Sequence, residues 1–384
     1  MEQPHVQASR PSLQAIWCVK ANFGTMKLIP ALTICLLFQL SACRAQDKHI
    51  APNDNAIAYM GRMEPPTQKM ADLSWPGSSI SLEFEGKSIS ARLNDQAGKN
   101  CYYFIVDSQL KHIRLDSGEH NYLVAEGLSA GKHKITLYKL TEGKFGHTHF
   151  LGFNINNEGT VLPASIPENQ KKIEFYGNSI TAGYSVDDTV EDRKNPDFFN
   201  NYFTYASITA RHYNARYNVI AKSGIGLMLS WFRIIMPEMY NRVHEDDSLH
   251  QWKFSNFKPN VVVVDLLQND SWLVEKPNHT EFKYRFDTKR PTDRAIIAAY
   301  KKFISNIRNN YPNATIICTL GSMDATKEGS KWPGIVKQAV TEINDPKILS
   351  FFFPYKDTPG HPKRKEQQVM ADLLVRFIDA NVKW

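Results

Sequence analysis

Two rhythms of hydrophobic and polar positions run along this chain, and the change from one to the other divides it. Across residues 56–157 apolar and polar residues alternate in short runs: "SSISLEFEGKSISARL", "CYYFIVDSQLKHIRL", "NYLVAEGLSAGKHKITLYKLT" and "THFLGFNIN". In the first run Ile80, Leu82 and Phe84 alternate with Ser81, Glu83 and Glu85. That period of two marks a strand with one buried face, and "EGK" then turns the chain back. Many such runs, with no convincing helix among them, predict an antiparallel sandwich over residues 50–160.

After the polar, proline-containing stretch "NNEGTVLPASIPENQ" the rhythm changes. Continuous apolar runs, "IEFYG", "YNVIAKSG", "VVVVDLL" and "TIICTLGSM", now alternate with helical stretches. The clearest helix is "DRAIIAAYKKFISNIRNNYP", in which Ile296, Tyr300, Phe303 and Ile307 line one face. A second, near the C-terminus, is expected to bury Val369, Leu373, Phe377 and Ile378. Buried strands alternating with helices predict an α/β domain over residues 165–384, its parallel sheet covered on both sides.

Length supports this division, because 384 residues exceed the roughly 250–300 at which a single hydrophobic core stops growing. The formal charge of +7 is spread along the chain without a basic block, so nucleic acid is not an expected partner. From Met26 the sequence reads "MKLIPALTICLLFQLSACRAQ", a Lys, an apolar run and then small residues, which is signal-peptide organisation. Residues 1–45 are therefore set aside as a targeting segment, with residues 1–25 read as the product of a start assigned too early. "LSAC" resembles a bacterial lipobox, in which Cys43 would be lipidated and would attach the chain to a membrane. The competing reading is ordinary cleavage after Ala45. Either route predicts export, to the periplasm or cell surface as a lipoprotein or otherwise into the medium. Cys101 and Cys318 fall in different domains, and neither a disulfide nor a cysteine metal site is expected.

Function in an α/β domain sits where strands end and helices begin. Ser179, in "IEFYGNSITAGYS", falls at such a point, with helical N–H groups placed to stabilise a developing oxyanion. Taken alone it is equally a helix cap. Thr181 replaces the second glycine of G-x-S-x-G, which excludes the α/β-hydrolase elbow. Gly224 in "AKSGIG" could present its N–H unobstructed, and Asn269 in "VVVVDLLQNDSW" could donate its side-chain amide. In "YKDTPGHPKRKEQQ", Asp357 and His361 lie in a loop suited to a base and its orienting carboxylate. The pair His147 and His149 in "GHTH" lacks a third ligand nearby and is read as a loop feature; no metal or cofactor is expected.

The blocks "GNSIT", "SGIG", "QND" and "DTPGHP" resemble, in order and spacing, those of the SGNH or GDSL-like hydrolases. Together with "AYMGRM", "LSWPGSSISLEFEGKSISARL" and "MPEMYNRV", they make residues 56–380 similar to carbohydrate esterase family two. The resemblance implies a jelly-roll sandwich ahead of a three-layer, flavodoxin-like SGNH domain that removes acetyl groups from plant polysaccharides without a cofactor. It implies Ser179 as nucleophile, His361 as base, and the N–H groups of Ser179 and Gly224 with the Asn269 side chain as oxyanion donors. Three positions depart from the usual pattern: Asn178 stands for Asp, Leu267 for Gly, and Asp357 lies four residues before His361 instead of three. Either Asp357 or a backbone carbonyl could then hold the histidine. Some relatives carry an aromatic residue directly before the histidine, where this chain has Gly360, so sugar stacking falls to Trp272 or Trp252. Expected partners are acetylated polysaccharides or oligosaccharides of the xylan or mannan type. Two alternatives stay open: a non-catalytic carbohydrate-binding protein with a degenerate SGNH domain, and an esterase acting on peptidoglycan or another ester.

Overall fold

The structure is a computed structural model that describes residues 47–165 and 170–384. The targeting segment and Cys43 lie outside the described residues. Strands β1 (Lys48–Ile50), β2 (Ala58–Met60), β3 (Ala71–Leu73), β4 (Ser79–Glu85), β5 (Ile89–Asp95), β6 (Cys101–Val106), β7 (Gln109–Arg114), β8 (Gly118–Ala125), β9 (Lys132–Lys139), β10 (Thr148–Ile155) and β11 (Thr160–Val161) form two antiparallel sheets. One runs β1-β10-β5-β8 with β3 also on β10; the other runs β11-β4-β9-β6-β7 with β2 also on β4. Ile80, Leu82 and Phe84 point inward as their alternation requires, and they meet Leu93, Phe104, Leu137, Phe150 and Phe153 in the sandwich core.

The second half builds β12 (Lys172–Gly177), α1 (Ser179–Ala182), α2 (Tyr205–His212), β13 (Arg216–Ala221), β14 (Val261–Asp265), α3 (Gln268–Leu273), α4 (Thr280–Phe286), α5 (Asp293–Asn310), β15 (Thr315–Leu320), α6 (Trp332–Ile343), β16 (Ile348–Phe352) and α7 (Arg364–Asn381). The sheet is parallel, in the order β13-β12-β14-β15-β16. This is a flavodoxin-like order, whose reversal at β12 opens a crevice at the carboxyl edge. In α5 the expected stripe Ile296, Tyr300, Phe303 and Ile307 is buried. In α7 the expected face is rotated. Val369 is exposed and Leu373 only half-buried, whereas Gln367, Met370, Leu374 and Ile378 point inward. The rotation has a polar cause: Gln367 accepts from Tyr205 N–H and donates to the Ile180 carbonyl, fixing that side of α7 against α1 and α2.

The sandwich does not stand apart from the parallel sheet. Cys101, Tyr103, Tyr138 and Leu140 enter the same core as Phe175, Tyr205, Val219 and Leu374. From the loop after β2, Arg62 reaches Glu174 on β12 in a fully buried ion pair at 3.0 Å.

Candidate active site

Parallel register carries the chemistry to one edge. Gly177 at the end of β12 lies opposite Ala221 of β13 and Asp265 of β14, so the segments that follow emerge side by side. Lys222 N–H donates to the Gly177 carbonyl, and Asn178 Nδ2 donates to the Asp265 carbonyl, which ties the three turns together. The helix cap in "GNSIT" is Asn178, whose Oδ1 accepts from Ile180 N–H at 2.9 Å. Ser179 is thereby freed to occupy the first helical position, buried at the mouth of the turn, with N–H groups unspent.

His361 Nε2 is 2.8 Å from Ser179 Oγ. The other ring nitrogen, Nδ1, is 2.5 Å from Oδ2 of Asp192, and the His361 backbone N–H donates to the same carboxylate. Asp192 also accepts from Lys363 Nζ at 2.8 Å. Burial pushes the Asp192 carboxyl up, but the hydrogen bonds and charges of His361 and Lys363 outweigh it and hold the group well below the usual carboxylate range. A firmly ionised acceptor fixes the tautomer with the proton on Nδ1 and the lone pair on Nε2 directed at Ser179. Tyr184 packs its ring against His361, with centroids 4.6 Å apart, and donates its hydroxyl to the Asp192 carbonyl.

The group that holds His361 is therefore the Asp192 carboxylate, and neither Asp357 nor a backbone carbonyl. Asp357 is exposed and makes no hydrogen bond to the histidine. Gly360 is the reason: with φ at +72° it turns the chain in the left-handed region, and a Cβ there would stand 2.8 Å from Asp192 Oδ1. A side chain at 360 would displace the carboxylate, so the missing aromatic is the condition for Asp192 to approach.

On the opposite flank Gly224, at φ +88°, leaves its N–H without a partner among the described residues. Asn269 is oriented from both ends: Trp231 Nε1 donates to its Oδ1 at 3.0 Å, and its Nδ2 donates to the Ile225 carbonyl at 2.7 Å. One Nδ2 hydrogen remains for an oxyanion. Below it the buried Asp270 accepts from the N–H groups of Leu227, Met228 and Leu229, pinning the loop that carries Gly224. Leu267, where the usual pattern has glycine, adopts a left-handed φ of +78°. The residue is fully buried, and burying a leucine contributes about 1.5–3 kcal/mol. That offsets the roughly 1–2 kcal/mol cost of left-handed backbone.

Comparison with known proteins bears on the family and the fold. Residues 59–164 match the family described as "Carbohydrate esterase 2 N-terminal". The solved structure of a family two carbohydrate esterase from Clostridium thermocellum, in complex with cellohexaose, superposes with a TM-score of 0.74 at 31% identity, covering 84% of this chain and 98% of that one. The chain belongs to carbohydrate esterase family two. Among curated relatives, "Cellulase/esterase CelE" of Acetivibrio thermocellus is 32% identical over 88% of this chain, which spans 41% of CelE's length. An "Acetylxylan esterase / glucomannan deacetylase" of Cellvibrio japonicus is 26% identical, over 79% of this chain and 84% of the relative.

In this family-two chain the structure brings Ser179 and His361 into contact, and sets Gly224 in the turn after β13 and Asn269 in the first turn of α3, at the same edge of the sheet. The two tryptophans named from sequence part company. Trp252 lies under the Arg62 guanidinium, 5.1 Å from its ring centroid, and is a packing residue. Trp272, one turn beyond Asn269, is half-buried and donates its indole N–H to Asp324. Trp231 was not singled out in the sequence; it is 41% exposed beside Gly224 and Asn269.

Proposed function

We propose that the chain is a serine esterase that removes O-acetyl groups from polysaccharides or oligosaccharides of the xylan or mannan type. The observation that carries this reading is His361 bridging Ser179 and Asp192, with donors unspent at Gly224 and Asn269. Ser179 Oγ attacks the acetyl carbonyl while His361 Nε2 takes its proton. The N–H groups of Ser179 and Gly224 and the Asn269 amide hold the tetrahedral oxyanion, each donor contributing about 3–4 kcal/mol to the transition state. As the intermediate collapses, His361 returns the proton to the departing sugar hydroxyl, leaving acetyl-Ser179. Water then attacks that ester, again giving its proton to His361, and acetate leaves as Ser179 is regenerated. Trp231, bonded to Asn269, and Trp272, one turn beyond it, supply the apolar faces for a sugar ring.

Acetate release from acetylated xylan, glucomannan and peptidoglycan, with Ser179→Ala as the blank, tests this directly. Release from the two plant polysaccharides and none by the variant is expected. Release from peptidoglycan alone would move the substrate class, and equal rates for enzyme and blank would return the chain to a binding role. For its location we infer export with lipidation at Cys43. Labelling of the chain by a radioactive fatty acid in a bacterial host, lost in Cys43→Ser, is the expected outcome; an unlabelled, freely secreted chain would overturn it.

A further inference from the structure

A second cluster of chemically active side chains lies where the sandwich meets a loop of the α/β half. His147 directly precedes β10 and His149 lies within it, and antiparallel register sets Asp72 of β3 directly opposite His149. His244 arrives from the segment between β13 and β14. Three imidazoles thus surround one carboxylate oxygen: Asp72 Oδ2 is 2.9 Å from His147 Nδ1, 3.6 Å from His244 Nε2 and 3.9 Å from His149 Nε2. An ion pair accounts for Asp72 and His147 alone. It leaves His244 unexplained: the residue is 8% exposed, and Nε2, the nitrogen that faces Asp72, makes no hydrogen bond and stands 3.6 Å from the carboxylate. A buried imidazole turned toward a carboxylate without bonding to it costs free energy unless a ligand stands between them.

A further observation points the same way. The remaining nitrogen of His147, Nε2, stands 3.0 Å from Asp246 Oδ1. A carboxylate behind an imidazole in this manner fixes the tautomer and orientation of a metal-binding histidine. The donor atoms of Asp72, His147 and His244 all lie within 4.8 Å of one another, and small side-chain rotations close them to the roughly 3.4 Å separation that tetrahedral ligands at about 2.0–2.1 Å require. Imidazoles with one carboxylate, and no thiolate or ring of oxygens, suit a borderline divalent cation of the zinc type better than calcium, magnesium or copper(I). Glu64, Asp247 and His250 line the surface pocket that leads to the cluster.

We propose that Asp72, His147 and His244 bind one zinc-type divalent cation as a clamp, its fourth position open to water from the adjoining surface pocket. The clamp fastens β3 and β10 to the loop that carries Glu245. The Glu245 carboxylate holds Lys222 at 2.6 Å, two residues before the oxyanion glycine, so the site braces the oxyanion loop from behind. It takes no part in the ester chemistry.

The test uses the mature chain, stripped with a chelator and then dialysed against zinc. Expected results are about one zinc per chain by elemental analysis and a visible d–d spectrum of tetrahedral type on cobalt(II) substitution. Saturating zinc should also raise the unfolding midpoint, on the order of 5 °C. His244→Gln should lose the stoichiometric metal and the shift. The solvent-facing Asp246→Asn, which leaves the packing intact, should weaken zinc roughly 10–100-fold. No stoichiometric zinc in the wild-type chain, or undiminished binding in both variants, would overturn the proposal and leave the cluster as an ion pair.

Discussion

At Asp192 one carboxylate decides how the whole triad is set. Because His361 donates to it from both backbone and ring, replacing it removes the fixed tautomer while leaving nucleophile and oxyanion loop in place. Asp192→Asn is expected to lower kcat roughly 10³-fold with little change in KM, whereas Asp357→Ala should leave both near wild type. Steady-state kinetics on a soluble aryl acetate decides between the two acids. The same carboxylate has a pH signature. Its folded-state pKa is depressed, so it contributes stability above the ordinary carboxylate range and loses that contribution as pH falls below it. Thermal unfolding between pH 7 and pH 3 should therefore show a shallower decline in Asp192→Asn than in wild type. Ser179, Gly224, Asn269 and His361 each give a weak signal at a strand end or before a helix, and the family resemblance is what joins them into one candidate site; the fold sets Ser179 and His361 in contact. Asp192 gives no such signal, since it lies in the acidic stretch "SVDDTVEDRKNPD", where nothing in spacing separates it from Asp187, Asp188 or Glu191. Only the fold selects it, by carrying Gly360 past it.

At the scale of elements, α1 and the end of β14 are joined by a buried polar column. Thr181 Oγ1 meets the Tyr205 hydroxyl at 2.9 Å, and that hydroxyl donates to Asp265 Oδ2 at 3.4 Å. Thr181, which excluded the nucleophile elbow in the sequence, therefore props the short helix from below. Burial pushes the Asp265 carboxyl up to about 7. Here the sign is opposite to that of Asp192: a raised folded-state pKa gives a contribution present below about pH 4 and lost as pH rises through about 7. Asp265→Asn keeps the shape but cannot ionise. It is expected to unfold at a higher temperature than wild type at pH 8 and to lose that advantage at pH 4. Equal midpoint differences at both pH values would show that Asp265 does not change its charge across this range. The helices themselves followed from periodicity, as α5 shows, but the orientation of α7 did not. A buried Gln367 that bonds two neighbouring elements competes with hydrophobic period and turns Val369 to solvent.

For the molecule as a whole, the change of rhythm near residue 160 marks a change of architecture, yet one hydrophobic core runs across it beside the sandwich's own. The outer face of the second sandwich sheet, through Cys101, Tyr103, Tyr138 and Leu140, closes one side of the parallel sheet. Removing the sandwich would expose that apolar surface and strip Glu174 of its buried partner Arg62. Leaving one member of a buried ion pair alone costs about 3–5 kcal/mol, a large share of the roughly 5–15 kcal/mol that holds an ordinary fold together. The lost apolar burial adds to this in the same direction. A chain of residues 170–384 alone is therefore expected to be insoluble or to lack near-ultraviolet circular dichroism. The full mature chain should unfold in one calorimetric transition whose van't Hoff and calorimetric enthalpies agree. Two separate transitions, or a soluble 170–384 fragment that still releases acetate, would show that the shared core contributes little and that the sandwich is dispensable to the catalytic half.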